Sequence, residues 1–196
     1  MLLLHLIRSE LPLYLIQAVI AFFIGYRAVK FYNLSKEKIF LHLNIAFLLL
    51  GAGSLTYFLG SSTALLLVRY PRALESGFAA SLLGGASLIL VVSEVLAYTS
   101  LALGYVHRER VAAPLLFTIG IMTLSNLICL FLLIYIVMNL FIAYSRGRSK
   151  RTLTVLLGFV LMSLGHTVPM IPTFQLQLLG ELLRTSGLVL ILLSLR

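Results

Sequence analysis

Apolar runs long enough to cross a bilayer as helices recur along almost the whole chain, and only a few charged residues separate each from the next. A helix needs roughly 20 predominantly apolar residues to span a hydrocarbon core of about 30 Å. Inside that core every backbone polar group must be satisfied within its own segment, which leaves helices or closed barrels. The runs lack strand-like alternation, so the expected fold is an all-α polytopic transmembrane helix bundle. With 61% hydrophobic and 11% charged residues in 196, no gap can hold a separate soluble domain. Residues 1–196 are therefore read as a single integral membrane helical domain.

Six spans are expected, over about residues 11–31, 39–59, 78–105, 126–144, 153–168 and 174–195. The stretch from Thr63 to Pro71 is apolar but short, and is expected at the interface. Between Arg110 and Arg146 no residue is charged. That stretch would form about 52 Å of straight helix, too long for one crossing and marginal for two. Residues 111–123 are read as an interfacial or re-entrant lead-in, with seven spans as the alternative. Six spans and the slight Lys/Arg bias place both termini in the cytoplasm.

A net charge of +9 would suit nucleic acid if the charge formed one face. Here the basic residues punctuate the apolar runs, so the expected partners are the lipid bilayer and its anionic headgroups, not nucleic acid. The single cysteine, Cys129, is read as excluding an internal disulfide and any cysteine-based metal site. No metal site is expected, and Cys129 is read as a packing residue.

Two carboxylates interrupt this pattern. Glu94 and Glu181 each lie inside an apolar run, where a charge costs at least about 2.5–3.5 kcal/mol. Glu181 and Arg184 stand three residues apart and share a helix face. Glu94, Glu181 and Arg184 are thus a candidate intramembrane polar cluster, either a proton- or cation-binding site or polar glue between helices. His42 and His166, on different helices, are candidate axial ligands for haem b, or else hydrogen-bonded interface residues. His5 and His107 are expected near the interfaces. No P-loop, dinucleotide fingerprint or nucleophile triad is present, so no catalytic residue is assigned.

Glu94–Leu103 aligns with Glu181–Leu190, and Asn44–Gly53 aligns with Leu156–Gly165. The two alignments suggest an internal repeat with halves 1–110 and 111–196. Three spans per half would make that repeat inverted. The segment Gly25–Lys30, the short basic loop after it, Phe47–Gly51, Gly158-Phe159 and Gly165-His166 together resemble archaeal multi-pass membrane proteins and the membrane input halves of sensor proteins. That resemblance implies architecture rather than activity.

Three functions fit these features. One is a non-catalytic accessory subunit that packs against other membrane subunits through the small-residue segment Gly77–Ser87. A second is a haem b- or quinone-associated electron-transfer subunit. A third is a proton- or cation-linked transporter, which predicts unwound helix near the carboxylates.

Overall fold

The computed structural model describes residues 2–67, 77–109, 122–170 and 174–195, with side chains over 10–67, 77–105, 126–169 and 175–195. These residues form six α-helices: α1 (Leu2–Ser35), α2 (Lys38–Leu67), α3 (Phe78–Glu109), α4 (Met122–Gly147), α5 (Lys150–Thr167) and α6 (Phe174–Ser194). A short 3₁₀ turn, Val168–Met170, follows α5. Five of the helices are long and apolar enough to cross a membrane. The shortest, α5, opens on Lys150 and Arg151 and falls outside that set. The protein is an integral membrane helix bundle.

Two expected boundaries shift. Thr63–Leu67 continues α2 rather than forming a separate interfacial piece, and Met122 and Thr123 already belong to α4. The rest of both segments lies outside the described residues. Helix α1 ends where Lys36 takes a left-handed conformation (φ 59°) and its N–H bonds the Tyr32 carbonyl, which satisfies one of the carbonyls left free at a helix end.

The helices form a ring: each packs on the next in sequence, and α6 returns to α1. Inward side chains from all six fill the centre, among them Ile24, Phe47, Tyr98, Leu133, Phe159 and Ile191. Outward residues such as Phe23, Leu88, Phe131 and Phe141 are exposed, as lipid contact requires.

Small residues set the close approaches. In lipid, helix association depends on van der Waals packing rather than on water exclusion, so backbones must come near one another. A methyl on Gly187 would sit 2.5 Å from the Gly158 carbonyl oxygen, and one on Gly165 would sit 2.8 Å from that of Gly180. Both helices therefore carry glycines seven residues apart on the facing side, the period of a left-handed crossing. On α2 and α3 the same spacing brings Gly53 onto Ser93 and Gly60 onto Ala86.

These pairings also fix helix direction. Rising numbers on α5 meet falling numbers on α6, so that pair is antiparallel. The same holds for α2 and α3, and for α1 and α2, where Asn44 donates to the Gly25 carbonyl at 2.9 Å and Gly51 lies on Phe22. Helices α4 and α5 turn back through Arg148 and Ser149, and at their far ends Asn126 meets His166. Helices α1 and α6 differ. Tyr14 and Gln17 bond Glu181, Gln17 also reaches Thr185, and Arg27 donates to the Leu195 carbonyl, so these two run parallel.

It follows that α1, α3, α4 and α6 point one way and α2 and α5 the other. Two sequence-based expectations change. The first and last helices begin at the same end of the bundle, so the two ends of the described chain lie at opposite ends, not together as six alternating spans require. Corresponding helices of the two halves also run in the same direction, so the halves are not inverted. Glu109 and Met122 stand at opposite ends of the bundle, and residues 110–121 between them lie outside the described residues.

The glycine seam is open to a direct stability test. Gly158→Leu should lower the thermal midpoint in detergent, with the loss of about 1–3 kcal/mol typical of overpacking. Gly84→Ala, where a methyl meets nothing within 4 Å, should leave the midpoint unchanged or raise it, since alanine favours helix by about 0.8–1 kcal/mol. Equal midpoints for the two variants would show that the α5–α6 approach is not close.

Candidate functional site

Arg184 projects from α6 into the ring and is the one Lys or Arg among the buried described residues. Its Nη1 donates to Glu94 Oε1 on α3 at 3.0 Å and lies 3.4 Å from Glu181 Oε1 on its own helix. Its Nε donates to the Gly165 carbonyl on α5 at 3.3 Å. The glycine matters here, since a methyl on Gly165 would meet Arg184 Cγ at 2.6 Å. The close α5–α6 approach is therefore also what seats the guanidinium.

Glu181 has further donors. Tyr14 O–H gives to its Oε1 at 3.1 Å and Gln17 Nε2 to its Oε2 at 2.9 Å, both from α1. Glu10, one helical turn before Tyr14, is a third buried carboxylate within electrostatic reach of Glu181 and Arg184. Buried charges are tolerated only when paired and hydrogen-bonded. This network ties α1, α3, α5 and α6 together through one cation.

His166, fully buried near the C-terminal end of α5, continues the network. Its Nδ1 faces Asn126 Oδ1 on α4 at 3.2 Å, and its Nε2 lies 3.0 Å from the Tyr98 hydroxyl on α3. With the amide oxygen as acceptor, Nδ1 carries the hydrogen and Nε2 accepts from Tyr98. The two rings meet edge to face, their centroids 5.4 Å apart. The thiol of Cys129, buried on α4, lies with a Glu94 oxygen and a His166 nitrogen so that all three atoms are within 4.8 Å of one another.

The structure therefore brings together Glu94, Glu181 and Arg184, the cluster expected from sequence. It does not bring together the histidines. His42, early in α2, packs against Gly104 and Ser100 of α3, with its Nδ1 3.4 Å from Ser100 Oγ. Helix α2 begins beside the C-terminal end of α1, whereas His166 lies at the end where α6 begins. Because α1 and α6 are parallel, those are opposite ends of the bundle. His42 and His166 thus do not fit a bis-imidazole haem site. His5 and His107 lie outside the described side chains.

Sequence reasoning missed Tyr14, Gln17, Glu10 and Asn126 as partners, and read Cys129 as packing alone. Each stands singly in an apolar run. Tyr14, Gln17, Glu10 and Asn126 lie far in sequence from the groups they face, so nothing local marked them; Tyr98, one turn after Glu94, was a polar side chain within local reach.

No protein-family model, curated protein or solved structure matches this chain.

The shared guanidinium predicts an ordered mutant series. Arg184→Leu strands two carboxylates and should destabilise most, by about 3–5 kcal/mol. Glu181→Leu with Arg184→Leu still strands Glu94 and should recover only in part. The triple change that adds Glu94→Leu removes all three charges of the cluster and should recover most of the loss. Equal thermal midpoints for all three would mean that the side chains reach water separately.

Proposed function

We propose that the protein is a cation-linked membrane protein of the secondary-transporter type, built from two three-helix halves that hold a proton or small cation between them. The observation that carries this is the charge imbalance in the interior: Glu94 and Glu181 share Arg184, the one buried Lys or Arg among the described residues. One guanidinium neutralises one carboxylate. The second must be held by a proton or a cation at bilayer depth, and Glu10 adds to the excess.

The relation between the halves supports the same reading. The alignment that matches Glu94 to Glu181 and Gly53 to Gly165 also matches Ser93 to Gly180. In the structure Gly53 lies on Ser93, and Gly165 lies on Gly180. Sequence matching and helix pairing thus agree at this one approach, which supports duplication of a three-helix unit. Parallel repeats about an axis normal to the membrane are one of the arrangements found among transporters, with binding at the repeat interface. Here the cluster joins α3 of one half to α6 of the other. Both helices continue unbroken through their glutamates, so the site is made of side chains and not, as expected from sequence, of unwound backbone.

A second reading, an accessory subunit, draws on a different surface. Between α2 and α3 runs a groove of about 460 Å³, lined by Thr56, Gly60, Thr63, Ser81, Gly85 and Ala86 among others. Its small lining residues would let a partner transmembrane helix approach closely. Gly85→Leu should displace such a helix without loss of stability, since a methyl there meets nothing within 4 Å.

Proton flux separates the two. The protein in vesicles containing a pH-sensitive dye, energised by a potassium diffusion potential, should show potential-driven proton movement. Glu181→Gln should reduce it at least tenfold, since the proton-exchanging carboxylate is gone. Absence of flux in the unaltered protein, or equal flux in the variant, would sink the transport reading and leave the groove as the functional surface.

A further inference from the structure

The interior holds a second constellation beside the charge cluster, and it joins three kinds of metal ligand. A carboxylate oxygen of Glu94, the thiol of Cys129 and a ring nitrogen of His166 all lie within 4.8 Å of one another. They come from three helices, α3, α4 and α5, and none of them is exposed. We propose that Glu94, Cys129 and His166 bind a zinc ion inside the bundle. This deepens the cation reading and rests on it only in using the same carboxylate, Glu94.

Ligand type argues for zinc. Thiolate with imidazole is a borderline-soft donor pair that selects zinc over magnesium or calcium, which take oxygen ligands. Zinc accepts sulfur, nitrogen and oxygen together in tetrahedral geometry at about 2.0–2.3 Å. Ligand atoms around such an ion stand about 3.3–3.8 Å apart. The three groups therefore need to close by about an ångström to bind the ion.

The surroundings of each ligand are those of an oriented site. A metal-bound histidine usually donates its other ring N–H to a carbonyl or carboxylate. Asn126 Oδ1 accepts from His166 Nδ1 at 3.2 Å and so directs Nε2 as the ligand atom. On binding, Nε2 exchanges the Tyr98 hydroxyl, now 3.0 Å away, for zinc. Glu94 gives Oε1 to Arg184 at 3.0 Å, which leaves Oε2 for the metal.

Charge closes the argument. Two carboxylates and one thiolate carry three negative charges. Arg184 and a zinc ion carry three positive charges. Binding releases the thiol proton and balances the charges of Glu94, Glu181, Cys129 and Arg184, which burial favours. Counting Glu10 only enlarges the negative excess that a cation answers. The sulfur explains why Cys129 stands opposite a carboxylate, an arrangement that packing alone does not call for.

Cobalt(II) is the probe, because it takes zinc sites and reports thiolate ligation by a near-ultraviolet charge-transfer band. The full-length protein, purified in detergent and stripped with chelator, should bind one equivalent of cobalt with that band, and zinc should displace it. Cys129→Ser, close in size, should abolish the band while keeping the metal-free thermal midpoint. Asn126→Ala should weaken binding about 10–100-fold, as loss of an orienting partner does. His42→Gln, remote from the site, should bind normally. Glu181→Gln should retain the band, so a protein without proton flux but with intact cobalt binding would refute the transport reading alone. No band in the unaltered protein, or unchanged binding in Cys129→Ser, would overturn the zinc site.

Discussion

Arg184 is the group on which the interior depends. It is the one buried Lys or Arg among the described residues, and it has carboxylates on two sides and a backbone carbonyl on a third. A charge there is tolerable only while each of these partners stays in place. Because the partners come from different helices, the guanidinium fixes α3 against α6 and α6 against α5. Glu181 then fixes α1 through Tyr14 and Gln17. A bundle held only by apolar packing in lipid could slide or rotate. This one has a register set by directed bonds.

The small residues make that register accessible. Long side chains at Gly165 and Gly180 would hold α5 and α6 apart, and Arg184 would no longer reach the Gly165 carbonyl. The order of cause therefore runs from seven-residue glycine spacing, to backbone contact, to the seating of one guanidinium, to an interior with more carboxylates than cations. The chemistry of the site follows from that surplus. His166, Cys129 and Tyr98 lie next to the surplus and not elsewhere in the core, where Leu, Ile, Phe and Ala prevail.

Much of the architecture was legible in the sequence. Five of the six expected spans coincide with helices long and apolar enough to cross a bilayer, because backbone satisfaction in lipid allows little else. Glu94, Glu181 and Arg184 were legible as a group, since charges in such runs are costly and Glu181 and Arg184 share a helix face. Tyr14 and Gln17 were not, because nothing in the chain between them and Glu181 signals that α1 returns beside α6.

By itself, the sequence determined that the chain is an all-helical membrane protein and that Glu94, Glu181 and Arg184 are charges in apolar runs, since both follow from local composition; that Glu10 is buried beside them did not follow from it. Only the tertiary structure decided direction and company. Whether α6 runs with α1 or against it depends on how the chain connects α3 to α4, and charge counts between spans are too nearly balanced to settle that. Whether two histidines meet depends on direction as well: His42 and His166 fall at opposite ends once α1 and α6 are parallel. Cys129 changed most. Alone in an apolar run it has no chemistry to announce, and it gains some only where three helices bring a carboxylate and an imidazole to its side.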